Sequence, residues 1–202
     1  MSTETETFWQ GEFGDAYHGR NQPDWHRKVP FFKRILHATG RIGSVLEVGC
    51  GPGWNLRALN SADSTMELAG CDINKLAIAS AKDALPWADF DAMPANEIGD
   101  FYEGWNFEMI MTAGVLIHIP PAEIIDVMED ITELATTWVL AIEYASDREE
   151  EVEYRGHAGR LWKRPYDKMY EHFGLKVVST EQLGPEQGFG EGCTAWLMKK
   201  FG

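Results

Sequence analysis

Hydrophobic and polar positions along this chain alternate between two periods. Residues 24–40 put Phe31, Phe32, Ile35 and Leu36 on one helical face and stop at Gly40, which predicts a helix with a glycine cap. "SVLEVGC" (44–50) is a short apolar run with one acid, the pattern of a buried strand, and it breaks into "GCGPG". Helical spacing resumes in "WNLRALNS". "MELAGCDI" (66–73) reads as a second strand, and the alanine-rich "NKLAIASAKDAL" as the next helix. "PWADFDA", "FEMIMTAG" and "TWVLAIEYA" follow as strands, the last two separated by a helix over "PPAEIIDVMEDITELATT" (120–137) with proline at its start. "PYDKMYEHFG", "LKVVSTEQL" and "CTAWLMKK" supply a last helix and two strands. Alternation of this kind predicts an α/β, doubly wound, seven-stranded and mostly parallel sheet with helices on both faces.

Composition narrows the classes. With 202 residues, 44% hydrophobic and 12% aromatic, the chain suits one domain, residues 1–43 forming an N-terminal lid and leading helices and 44–202 the sheet core. A net charge of −14 would repel a phosphate backbone, so nucleic acid is not an expected partner. Cys50, Cys71 and Cys193 have no CxxC spacing, so neither a disulfide framework nor a metal site is expected, and a reducing cytoplasm fits. "MSTETETFW" has no basic or apolar signal region, and no apolar run approaches membrane-spanning length.

The sharpest motif is "LEVGCGPGW". Glu47, Gly49, Gly51 and Gly53 occupy alternate positions where a strand turns into a helix, with Cys50 inside the loop and Asn55 just after it. Glycines let backbone approach a ligand closely, and a helix N-terminus favours anionic groups. The dinucleotide fingerprint needs a third glycine where Trp54 stands, which puts NAD-dependent hydride transfer last. The loop instead resembles the first motif of class I S-adenosylmethionine (SAM) methyltransferases. Asp72, with Ile73, ends the second strand where nucleoside-binding folds place an acid for ribose hydroxyls; its alternative role is to cap the helix that follows. Asp91 matches the methyltransferase position whose acid accepts from the adenine amino group, with the Ala92 amide meeting a ring nitrogen; otherwise it is a solvated loop acid.

The fourth strand runs into "TAGVLIHIPP", where Thr112, Ala113 and Gly114 leave room at the sheet's carboxyl edge. His118 follows within one turn and is the best-placed base for proton removal from an acceptor, or else a structural histidine. After the fifth strand, "EYASDREEEVEYRGHAGRLWKRPY" gathers Arg155, His157, Arg160, Lys163 and Arg164 with Tyr154 and Trp162. Such a cluster holds a carboxylate or phosphate while an aromatic stacks on a ring. The competing reading is a solvated loop whose bases pair with the preceding glutamates. "FWQGEFGDAYHGRN" (8–21) is either a lid or an aromatic tether. As a lid, Tyr17 or Arg20 would meet the cofactor's carboxylate, and Phe8, Trp9 and Phe13 would exclude water, Trp9 facing the acceptor.

On "FWQGEFGDAYHGRN", "LEVGCGPGWNLRAL", "GVLIHIPP" and the cationic stretch, spanning most of residues 8–172, the chain resembles the pseudaminic acid biosynthesis-associated methylases. The opening block also resembles thiopurine-methyltransferase-like enzymes. The resemblance implies a Rossmann-like class I fold, SAM as methyl donor (leaving S-adenosylhomocysteine) and an association with nonulosonic sugar synthesis; the acceptor expected is small, polar and anionic, of the nucleotide-activated or nonulosonic sugar type. The alternatives are a SAM-binding module without catalysis, or a methyltransferase acting on a protein or a thiopurine-like molecule.

Overall fold

A computed structural model describes residues 3–201. Its seven-stranded sheet has the order β3-β2-β1-β4-β5-β9-β8. The strands are β1 (Ser44–Val48), β2 (Glu67–Asp72), β3 (Asp89–Ala92), β4 (Phe107–Ala113), β5 (Ala135–Glu143), β8 (Leu175–Leu183) and β9 (Cys193–Lys200). All neighbours run parallel except β9, which is antiparallel to both β5 and β8. Parallel strands buried on both faces need helices above and below. Helices α3 (Val29–Thr39), α4 (Trp54–Ala62) and α5 (Lys75–Ala84) cover one face; α6 (Ile98–Phe101), α7 (Ile124–Leu134) and α8 (Tyr166–His172) cover the other. Alternation along β1 sorts the faces: Val45 joins the α3–α5 side, Leu46 and Val48 the α6–α8 side. Glu47 therefore points under α3 and α4.

The N-terminal stretch folds into two short helices, α1 (Glu4–Gln10) and α2 (Glu12–Arg20). Thr3 caps α1 through a capping box with Glu6. Gly14 has no room for a side chain, because a Cβ there would run into the Trp9 carbonyl oxygen. The helix expected over 24–40 begins instead as a 3₁₀ turn, Trp25–Lys28, and becomes α-helical only at Val29.

Three other expectations are corrected. The helix placed over 120–137 starts at Ile124, since Glu123 and Ile124 donate back to the Pro120 carbonyl in a turn. It ends at Leu134, because Ala135 already pairs with Phe107 and the β-branched Thr136 and Thr137 belong to β5. The third strand starts at Asp89, after a turn closed by Ala88 N–H on Leu85. The acidic and cationic stretch after β5 is not wholly loop: β6 (Glu150–Glu151) pairs antiparallel with β7 (Trp162–Lys163).

The fold places two glycines under different constraints. Gly49, at φ 71°, carries no Cβ because one would sit 2.5 Å from Val115 Cγ2, whereas Gly174, at φ 82°, has open space around it. Gly174→Ala should cost about 1 kcal/mol of backbone strain, and Gly49→Ala at least about 2 kcal/mol, since a rigid branched neighbour must also move. Urea denaturation of both variants measures the difference.

Candidate functional site

The carboxyl ends of β1 to β4 border a cavity of about 260 Å³. Its floor is the loop from β1 to α4, where Gly49, Gly51 and Gly53 hold φ of 71°, 53° and 76°. Such angles favour glycine and bring bare backbone to the surface of the cavity. Asp72 Oδ2 accepts from the Gly51 amide at 2.8 Å, and Oδ1 accepts from the Asn74 amide at 2.8 Å. Burial pushes this carboxyl above its usual range, against the two amide hydrogen bonds that stabilise the anion. Asp72 is not the helix cap. Asn74 takes that role, its Oδ1 accepting from Ala77 N–H at 2.9 Å.

A buried chain of polar groups runs beneath the floor. Glu47 Oε1 accepts from Asn55 Nδ2 at 2.6 Å, and Lys28 Nζ donates to Asn55 Oδ1 at 2.6 Å. Burial pushes Glu47 up to about 8 and Lys28 down to about 8. Glu47 does not itself line the cavity, but Asn55 and Lys28 do. Lys28 was absent from the residues singled out in the sequence. Its signal was there: positions 28, 31, 32 and 35 follow the i, i+3, i+4, i+7 spacing of one helical face, so Lys28 continues the stripe of Phe31, Phe32 and Ile35 into the core.

His118 lies in the 3₁₀ turn Leu116–His118 after β4 and lines the cavity. Its Nδ1 is 2.6 Å from the Arg160 carbonyl oxygen. A carbonyl only accepts, so Nδ1 carries the hydrogen and Nε2 keeps the lone pair. Burial lowers the ring to about 4. The turn is clamped on both sides. Glu143 Oε1 accepts from the Val115 and Leu116 amides at 3.3 and 3.2 Å, its carboxyl pushed up to about 7 by burial. Arg164, fully buried, donates to the Leu116 and Ile119 carbonyls at 3.1 and 3.0 Å and to Glu149 at 2.6 Å.

Helices α1 and α2 roof the cavity, with Thr5, Glu6 and Trp9 from the first and Tyr17 and His18 from the second. The Trp9 ring centroid is 4.5 Å from that of His118. His18 stands over Gly51, where a Cβ would touch its Cε1 at 3.4 Å; burial lowers its pKa, and Asp72 and Asp15 pull the other way. Asn74 Nδ2 fastens both helices, donating to the Trp9 carbonyl at 3.2 Å and to Asp15 at 2.8 Å. Asn96 adds a second tie, its Nδ2 reaching Glu6 at 3.0 Å and Glu123 at 3.3 Å. Burial and the nearby Glu6 raise the Glu123 carboxyl.

Of the residues singled out in the sequence, Trp9, Tyr17, Gly49, Cys50, Gly51 and Asn55 border the cavity, as do Asp72, Ile73, Ala113, Gly114 and His118. The others do not. Arg20 stacks its guanidinium 5.3 Å from the Phe13 centroid, outside the cavity. Asp91 Oδ2 accepts from Tyr102 OH at 3.1 Å, and Met93 rather than Asp91 or Ala92 forms the wall after β3. Tyr154 backs His118, with ring centroids 4.9 Å apart, and His157 packs against Phe8 at 4.9 Å. Arg160 pairs with Glu4 at 3.3 Å, and Arg164 with Glu149 of the acidic run, so the cationic cluster is not a single free patch. Arg155 remains exposed, held at φ 52°. Among the described residues, no helix is long and apolar enough to cross a membrane.

Residues 45–136 match a methyltransferase domain family. A search of curated proteins brings up no match. Among solved structures, the chain is similar to 1,6-didemethyltoxoflavin-N1-methyltransferase of Burkholderia thailandensis, solved with 1,6-didemethyltoxoflavin and S-adenosylhomocysteine (TM-score 0.77, 18% identity, 100% of this chain and 92% of that one). It is also similar to magnesium protoporphyrin IX methyltransferase from Synechocystis PCC 6803 with bound SAM (0.71, 15%, 99% of each chain). A third is a SAM-bound amino pentose methyltransferase of Micromonospora echinaspora involved in calicheamicin biosynthesis (0.70, 15%, 95% and 97%). The fold is thus the Rossmann-like class I methyltransferase fold.

The state of His118 can be read directly. A ring lowered from 6.5 to about 4 stays neutral where unfolded histidine is protonated, so its stabilisation is complete above pH 6.5 and lost as pH falls through about 4. NMR titration should show flat His118 ring shifts from about pH 8 to 5.5, with Nδ1 protonated; a midpoint near 6.5 would contradict the assignment.

Proposed function

We propose that the protein transfers a methyl group from SAM to a small polar metabolite. The observation that carries this reading is one cavity joining Asp72, the glycine loop and His118 beneath a two-helix roof, in a chain with a methyltransferase domain. The lining residues suit the donor by their own chemistry. Asp72, each of whose oxygens keeps one lone pair beyond its bond to the Gly51 or Asn74 amide, offers acceptors for the two ribose hydroxyls, and Ile73, Met93 and Val115 offer apolar sides for adenine. Tyr102 occupies Asp91 Oδ2, so Oδ1 is the oxygen proposed for the adenine amino group, with the Ala92 amide beside it.

Bound there, SAM would supply an electrophilic methyl for attack by the acceptor's lone pair, the carbon–sulfur bonding pair returning to sulfur and leaving S-adenosylhomocysteine. The protein's part is to hold the acceptor in line, keep water out under α1 and α2, and take the proton that the acceptor gives up. His118 Nε2 has the lone pair for that last role. Trp9 and Tyr17 are the aromatic walls on the acceptor side.

The acceptor proposed is anionic, of the nucleotide-activated or nonulosonic sugar type. Arg155 supports this, as its exposed guanidinium stands 5.9 Å from the centroid of Tyr17, which lines the cavity. Tyr154, His157 and Arg160 complete this rim in the proposal, Tyr154 through the 5.8 Å approach of Arg155 to its ring. Calorimetry with S-adenosylhomocysteine should show binding that Asp72→Ala weakens about tenfold or more. Incubation with methyl-labelled SAM and a metabolite extract should yield a labelled product by mass spectrometry, and Arg155→Glu should raise its KM with little effect on S-adenosylhomocysteine affinity. Absence of S-adenosylhomocysteine binding by the unaltered protein would sink the reading.

A further inference from the structure

Lys28 is the only lysine or arginine that borders the cavity among the described residues. It is 7% exposed, its stem lies against Gly188, and its ammonium sits 4.5 Å from the Phe189 ring centroid. Asn55 takes one of its three donors, and no direct ion pair of the described residues includes it. Glu47 is reached only through the Asn55 amide, and Glu47 Oε2 has no partner of its own. A buried ammonium with spare donors on a cavity wall is costly in the empty protein and matched to an incoming anion.

The sheet order says which part of a ligand comes here. A nucleoside held by Asp72 and Met93 lies at the ends of β2 and β3. The cavity continues past Gly51 to β1 and β4, one to three strand spacings away, or about 5 to 14 Å. Lys28 and Asn55 stand beyond the glycine loop from the nucleoside, over Glu47 of β1. Of Tyr17 and Arg20, both expected to meet the donor's carboxylate, Arg20 is stacked on Phe13 outside the cavity, and Tyr17 borders it with a hydroxyl rather than a cation. We propose that Lys28, aimed by Asn55 and Glu47, binds the α-carboxylate at the amino-acid end of the methyl donor. The assignment rests on the reading that the donor is SAM.

Three ligands separate this contact from the rest of the site. S-Adenosylhomocysteine has the carboxylate, its decarboxylated analogue keeps only the amine, and 5′-methylthioadenosine keeps only the nucleoside and sulfur. By calorimetry, the unaltered protein should bind S-adenosylhomocysteine about 30-fold or more tightly than the decarboxylated analogue, as expected for a buried charged contact. Lys28→Met should lose that preference while binding 5′-methylthioadenosine within about threefold of the unaltered protein, and Lys28→Arg should retain part of the preference. Equal affinity of the unaltered protein for the first two ligands overturns the assignment without any variant being needed. So does a Lys28→Met protein that weakens all three ligands alike, or none. An unaltered protein that binds none of the three overturns the donor reading itself, and the assignment with it.

Discussion

The Asp72 carboxylate accepts one hydrogen bond from the Gly51 amide and another from the Asn74 amide, so a single side chain fixes the glycine loop, the end of β2 and the start of α5 relative to one another. Asn74 carries the constraint outward. Its Oδ1 caps α5 and its Nδ2 grips Trp9 and Asp15, which sets where α1 and α2 can lie. Asn74 is almost wholly buried, and its side chain uses one acceptor and two donor contacts, so little slack remains. Floor and roof of the cavity are therefore registered through two polar residues on either side of Ile73. Placing a buried carboxyl here costs free energy, which the amide hydrogen bonds partly offset.

A second polar arrangement governs the opposite wall. The turn bearing His118 receives Glu143 on its amides and Arg164 on its carbonyls, while the histidine is anchored to Arg160. The groups come from β5, from the residue after β7 and from the loop before β7, so the turn cannot move independently of the last third of the chain. The tautomer follows from this anchoring, and the ring's neutrality follows from its burial. Both properties arise from chain segments that are far from His118 in sequence and converge at the carboxyl edge of the sheet.

How much of this was legible depended on the range of the interaction. The strands and their parallel order followed from apolar runs and turn residues, and the glycine loop from local backbone needs at Gly49, Gly51 and Gly53. The β5 boundary was misplaced because "ELATT" continues a helical pattern until tertiary pairing with Phe107 overrides it. Arg164 sat in a run of bases read either as an anion site or as a solvated loop paired with the preceding glutamates; it does pair with Glu149, but its burial and its hold on the Leu116 turn are visible only in the folded chain. Arg20, offered with Tyr17 for the donor's carboxylate, stacks on Phe13 outside the cavity. The structure puts residues of the 8–21 stretch over the cavity, a placement held by contacts with Asn74 more than fifty positions away.

The central claim is that floor and roof together enclose the nucleoside methyl donor. Hydrogen–deuterium exchange with and without S-adenosylhomocysteine tests it most directly, because amides report each segment separately. The account predicts slower exchange on ligand addition in residues 49–55, 72–77 and 113–118, together with α1 and α2. Protection confined to the far edge of the sheet, or floor protection with no change in α1 and α2, would contradict it.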